Sequence, residues 1–189
     1  MKKSVLKVQM FGAYSIEYEG KPISFERNTA TKTNQLMQIL LQAGEKGVAR
    51  AKLLSDLFGD EEMSNPANSL RATVFRLRRL LAAAGLPEDE YVTIKGGSYY
   101  WTSKIPYELD AHQFEDLLKK AEKENDLEKK KSYEEACELY RGEFLPQLGA
   151  EEWAVVLNVY YKNLFSNAIR TLCQVLKDEK DYKKLYHCA

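Results

Sequence analysis

The sequence has no apolar run approaching the roughly 18–20 residues that span a bilayer. No membrane partner is therefore expected. Its first residues, Met-Lys-Lys-Ser-Val-Leu-Lys, are basic but lead into no signal-peptide apolar core, and they read as the approach to a strand. Cysteine is scarce: Cys137, Cys173 and Cys188 are an odd set, and none has metal-ligand spacing. That excludes a disulfide framework and fits a reducing cytoplasm. Histidine occurs only at His112 and His187. His112 reads as a surface residue in the first turn of a helix. His187 adjoins Cys188 without a third ligand or a triad partner. No carboxylate sits in an apolar setting that would raise its pKa for acid–base work. Gly96-Gly97 is followed by no Gly-Lys-Ser/Thr, so it is not a phosphate-binding loop. No catalytic residue, no metal and no cofactor is expected.

Net charge is absent too, with 28 Lys and Arg balancing 28 Asp and Glu, but the balance is uneven along the chain. Residues 1–104 carry 15 basic against 11 acidic side chains, a net of +4. Residues 105–189 carry 13 against 17, a net of −4. We read two domains, 1–104 and 105–189.

The most local absence is the most informative. No acid occurs between Glu62 and Glu88, a stretch that holds Asn68-Ser-Leu-Arg-Ala-Thr-Val-Phe-Arg-Leu-Arg-Arg-Leu-Leu81. Leu70, Val74, Leu77 and Leu81 recur at i, i+4, i+7 and i+11, one face of an α-helix. Arg71, Arg76, Arg78 and Arg79 lie off that stripe. Helices usually intersperse opposite charges, because like charges at i,i+4 destabilise them. Four guanidiniums without a nearby acid therefore point to an anion on a partner, or else to acids distant in sequence. Asn65 suits the N-cap and Pro66 the first helical position, while Gly85 ends the helix.

The surrounding order gives this helix a place. Val5–Phe11, Tyr14–Tyr18 and Pro22–Phe25 alternate as short strands, with a turn at Glu19-Gly20-Lys21. Two helices follow, at about Thr31–Gln42 and Lys52–Phe58, joined by an extended Val48-Ala49. Behind the arginine helix, Tyr91–Trp101 forms a hairpin around Gly96-Gly97, whose positive φ suits a tight turn. Alternation assigns at least two of Tyr99, Tyr100 and Trp101 to packing. From Leu109 the pattern becomes all-helical. Asp110 is a candidate cap with Gln113 in capping-box position. Stripes run through Phe114–Ala121 and Tyr133–Tyr140, then through Trp153–Val175, and Lys129–Lys131 reads as a solvated turn. The helix-pair rhythm resembles a tetratricopeptide array.

The expected fold is therefore α+β. An N-terminal winged helix-turn-helix, with a small antiparallel sheet, three helices and a C-terminal β-hairpin wing, precedes an all-α tetratricopeptide-like domain. In such a fold the third helix lies in the major groove with its N-terminal residues at base edges. Asn68 and Arg71 are suited to bidentate contacts with adenine and guanine. Ser69 lies on the flank. Ala72 and Thr73 are small enough to approach a thymine methyl. Arg76, Arg78 and Arg79 fall where phosphates are the partners. Lys95 and Gly96 form the wing tip. Phe75, on the same face, has no assignment.

The segment Asn68–Leu81 with its Arg-Leu-Arg-Arg-Leu-Leu ending, followed by Val92-Thr-Ile-Lys-Gly-Gly-Ser-Tyr-Tyr-Trp101, resembles the OmpR-type DNA-binding domain. Leu109-Asp-Ala-His-Gln-Phe114 and Leu139-Tyr-Arg-Gly-Glu-Phe-Leu145 are similar to the bacterial transcriptional activator domain of the Streptomyces antibiotic regulatory protein family. The resemblance implies a cytoplasmic transcriptional activator that binds direct repeats in double-stranded DNA. It implies that the loop Asp60–Asn65 faces RNA polymerase, allows a homodimer, and implies further helices after Ala189. The wing departs from the family, with Lys95-Gly-Gly-Ser where many relatives carry an arginine and another glycine spacing. The competing reading is a helical-repeat scaffold for protein interaction whose winged-helix domain does not bind DNA.

Overall fold

The computed structural model describes residues 4–23, 30–59 and 65–179. The predicted strand Pro22–Phe25 passes largely outside them, as do the loop 60–64, the helix expected from Asp181, His187 and Cys188. Within the described residues the chain is mixed α+β, with six α-helices and two small sheets. None of these helices is long and apolar enough to cross a membrane. The residues form two compact units. One comprises Met1–Val8, Tyr14–Leu109 and Glu151–Trp153; the other comprises Gln9–Ala13, Asp110–Ala150 and Ala154–Ala189.

The first unit opens with β1 (Leu6–Gln9), β2 (Ser15–Tyr18) and β3 (Lys21–Pro22). Leu6 and Val8 are buried and Lys7 is exposed, the alternation of a strand with one wet face. Glu19 and Gly20 both take positive φ, which turns β2 back onto antiparallel β3. The sheet is not the all-antiparallel one expected. A fourth strand, β7 (Tyr107–Leu109), lies parallel to β1, with Leu6 opposite Tyr107 and Val8 opposite Leu109.

Helix α1 (Lys32–Ala43) is capped by the Thr31 hydroxyl, which accepts from the Asn34 amide, and it buries Leu36, Ile39 and Leu40 as the sequence pattern requires. It also buries Asn34, Gln35 and Gln38. Gln35 reaches the Ala30 carbonyl and the Glu151 carboxylate, and Lys32 pairs with that carboxylate. The extended link at Val48-Ala49 is strand β4, which joins the hairpin strands β5 (Val92–Lys95) and β6 (Ser98–Trp101) in a second sheet ordered β4-β6-β5. Helix α2 (Arg50–Phe58) follows directly, and Gly59 closes it with φ +57.

Gly47 sits at the hinge into β4, and it is glycine for a steric reason. Its φ is +62, and a Cβ there would lie 2.4 Å from Cε1 of Tyr100 and 2.9 Å from the Tyr99 carbonyl oxygen. Gly47→Ala is expected to destabilise the chain by about 2–3 kcal/mol, combining the positive-φ penalty with a clash against backbone that cannot yield. Urea denaturation measures it, and a midpoint equal to the wild type's would contradict it.

In the second unit α4 (Asp110–Ala121) and α5 (Asp126–Leu139) pack against one another, and α6 (Glu152–Asp178) supplies most of the remaining helix. Asn125 caps α5 by accepting from the Glu128 amide. The core is aromatic. The Phe11 ring lies within 4.9–6.3 Å of Phe114, Tyr140, Phe144 and Tyr161, centroid to centroid. The buried Tyr161 hydroxyl donates to Glu115. Lys129–Lys131 is part of α5 rather than a turn; Lys130 pairs with Glu179 and Lys131 with Glu135.

Asp110 is the first residue of α4. Its carboxylate turns inward and accepts from the amides of Met10, Phe11 and Ala111 at 2.8–3.0 Å. Burial pushes this carboxyl above the ordinary aspartate range, against the opposing pull of those three donors and of Arg141.

Candidate nucleic-acid interface

Helix α3 (Pro66–Ala83) starts where the sequence places it: the Asn65 side chain accepts from the Asn68 amide, and Pro66 occupies the first turn. Leu70, Val74, Leu77 and Leu81 are all buried, each worth about 1.5–3 kcal/mol against exposure. That burial fixes the rotation of the helix and so decides which side chains face out. Asn68, Arg71, Phe75, Arg76 and Arg79 are exposed, while Ser69 and Ala72 are half-buried. Asn68, Arg71, Ala72 and Phe75 stand at i, i+3, i+4 and i+7, a single line along the open face.

Two of the side chains expected to meet DNA have partners within the chain. Thr73 is 2% exposed, and its hydroxyl donates to the Ser69 carbonyl at 2.8 Å. It follows Leu70 by three and precedes Leu77 by four, so it widens the apolar stripe and has no surface to offer a base. Arg78 is exposed but engaged: its Nη2 donates to the Val92 carbonyl at 2.6 Å and lies 3.7 Å from Glu90. Its cleft, of about 590 Å³, is lined also by Glu88, Asp89, Thr93, Thr102 and Lys104. Arg78 thus braces the hairpin against α3, and its anion is an acid beyond the acid-free stretch. For Arg71, Arg76 and Arg79, no ion pair to an acid occurs among those described.

The hairpin pairs β5 (Val92–Lys95) with β6 (Ser98–Trp101) from Val92↔Trp101 to Lys95↔Ser98. Gly96 and Gly97 take φ +59 and +77, the two positive angles of a tight two-residue turn. Lys95 and Gly96 are exposed at the tip. Tyr99 and Trp101 are buried and Tyr100 half-buried, so this aromatic run serves packing. Trp101 lies 5.5 Å from Tyr91, ring to ring. The Tyr91 hydroxyl donates to the Pro87 carbonyl, and burial beside Asp89 pushes its pKa up to about 12. The loop between α3 and β5 is held by the Asp89 carboxylate. Burial works against its charge, but the amides of Lys104 and Glu90 outweigh that and hold the carboxyl below the ordinary range.

The side chain without a place in the sequence reading is Phe75. It is 61% exposed, and the Arg79 guanidinium lies 5.9 Å from its ring centroid. Among the described residues no group of three His, Cys, Asp or Glu side chains is arranged to hold a metal ion.

No protein-family profile matches the chain. It is similar to Protein RcaC of Microchaete diplosiphon, with 28% identity over 120 residues, covering 59% of this chain and 18% of RcaC. Its fold is similar to that of Mycobacterium tuberculosis EmbR, solved in complex with a low affinity phosphopeptide. The TM-score is 0.69 at 15% identity, over 99% of this chain and 51% of EmbR. The chain therefore spans about half the length of that structure and less than a fifth of RcaC. The fold class defined here is the mixed α+β architecture shared with EmbR.

Proposed function

We propose that this chain is a sequence-specific, double-stranded-DNA-binding transcription regulator, in which 1–104 is a winged-helix domain and 105–189 a tetratricopeptide-like helical domain. One observation carries the reading. An 18-residue helix presents three arginines with no ion-paired acid among the described residues along its open side, beside a hairpin with an exposed lysine at its tip. The fold shared with EmbR and the partial likeness to RcaC support it.

In this reading α3 lies in the major groove. Asn68 and Arg71 take base edges, with Ser69 and Ala72 close by. Arg76 and Arg79 hold phosphates, and Lys95 and Gly96 meet the backbone from the wing. Arg78 keeps the wing in register with the helix. The family resemblance adds an activator's contact to RNA polymerase through 60–65 and the pairing of two copies on repeated sites.

Selection of bound sequences from a random DNA pool at two salt concentrations tests the proposal. Three phosphate contacts predict a salt slope near −2.7, so affinity for the selected site should fall roughly 40-fold between 50 and 200 mM salt. A pool that yields no preferred sequence, or binding indifferent to salt, removes the reading.

A second reading, a protein-interaction scaffold, rests on α6. Val155, Val156, Val159 and Tyr160 are exposed at neighbouring positions of that helix. A partner lost on Val156→Asp, together with absent DNA binding, would favour it.

A further inference from the structure

We infer that Phe75 is a specificity residue whose ring packs on the 5-methyl group of thymine in the floor of the major groove. The inference rests on the DNA-binding reading above and deepens it.

Its position comes first. Phe75 is the last of four residues, with Asn68, Arg71 and Ala72, at the i, i+3, i+4, i+7 spacing that a helix lying in the major groove directs at successive bases. Burial of Leu70, Val74, Leu77 and Leu81 leaves the helix no rotation that would hide the ring. The ring's setting comes second. Phe75 stands between Arg71 one turn before and Arg79 one turn after, with Arg76 adjacent in sequence. An apolar centre within a basic rim needs a partner of the same plan: an apolar spot with anions on either side.

Duplex DNA has that plan wherever thymine occurs. The thymine methyl is the one apolar group that a base pair shows in the major groove, and it lies between two rows of phosphates. The Arg79 guanidinium over the Phe75 ring, at 5.9 Å, holds the ring while keeping its own N–H groups available to a phosphate. An acidic protein surface with an apolar centre has related chemistry, but it would not distinguish thymine from uracil.

That distinction is the test. The preferred site from the random pool is synthesised with each thymine replaced singly by deoxyuridine, which lacks only the methyl group. Wild type, Phe75→Ala and Phe75→Leu are titrated against each duplex by fluorescence anisotropy. Wild type should lose about three- to fivefold in affinity at one thymine, the cost of one buried methyl. Phe75→Ala should bind the thymine and uracil duplexes equally at that position, and Phe75→Leu should keep part of the difference. Val156→Ser, an equally exposed apolar site on α6, should leave every ratio unchanged. The inference is overturned if no uracil substitution weakens the wild type, or if Phe75→Ala retains the full penalty. Failure of the wild type to bind any duplex in a salt-sensitive way would overturn the DNA-binding reading itself, a result distinct from either.

Discussion

Replacing Arg71, Arg76 and Arg79 together with alanine is expected to lower affinity for the selected DNA site by about 10²–10⁴-fold while leaving the fold intact. The magnitude follows from the roles of the three side chains. Loss of a bidentate base contact at Arg71 costs about 1–3 kcal/mol. Loss of two charge-assisted phosphate contacts adds about 1 kcal/mol or more each. Two fewer phosphates should also flatten the salt slope by about 1.8. The fold has no reason to suffer. All three side chains are exposed, and the ion pairs described leave them out. Arg76 and Arg79 repel each other at i,i+3, and alanine is the better helix former. The variant's thermal midpoint should therefore equal or exceed that of the wild type. Anisotropy titration together with a thermal melt separates the outcomes. Unchanged affinity in a folded variant would show that DNA does not lie on this face. Arg78→Ala is the informative contrast, because that side chain holds Val92 and Glu90.

Asp110→Ala should unfold the chain far more readily than its place at the start of a helix suggests, with a loss of about 3–5 kcal/mol. Asp110 is 8% exposed, and its carboxylate is the acceptor for the buried amides of Met10 and Phe11 and for that of Ala111. Each orphaned buried amide costs about 1–3 kcal/mol. The packing consequence adds to this, because Phe11 is the ring on which Phe114, Tyr140, Phe144 and Tyr161 converge. Asp110→Asn keeps one acceptor oxygen and removes a charge that burial disfavours, so it should lose only about half as much. Urea melts of the three proteins give the order wild type, asparagine, alanine. An alanine variant within 1 kcal/mol of the wild type would mean that water or another donor set replaces the carboxylate.

How much of this was legible in the sequence depended on the range of the interactions involved. Helix α3 was read almost to the residue, because Asn65-Pro66, the Leu/Val stripe and Gly85 are local signals. The hairpin was equally plain, since Gly96-Gly97 between β-prone runs leaves few other conformations. Thr73 is small and polar enough to suit a base contact, yet its spacing from Leu70 and Leu77 puts it on the buried stripe. The bracing role of Arg78 is not legible locally: its partners, the Val92 carbonyl and Glu90, are 12–14 residues away, and only the closed hairpin brings them to it.

The sequence by itself determined the helices, the tight turns and the acid-free arginine face, because these rest on neighbours within about one or two helical turns. The tertiary structure alone decided two other things. It set Tyr107–Leu109 parallel to β1, a hundred residues away in the chain. It turned the Asp110 carboxylate into an internal anchor for Met10 and Phe11. Each depends on which buried surface is filled first, and periodicity along a single helix or strand carries no record of that.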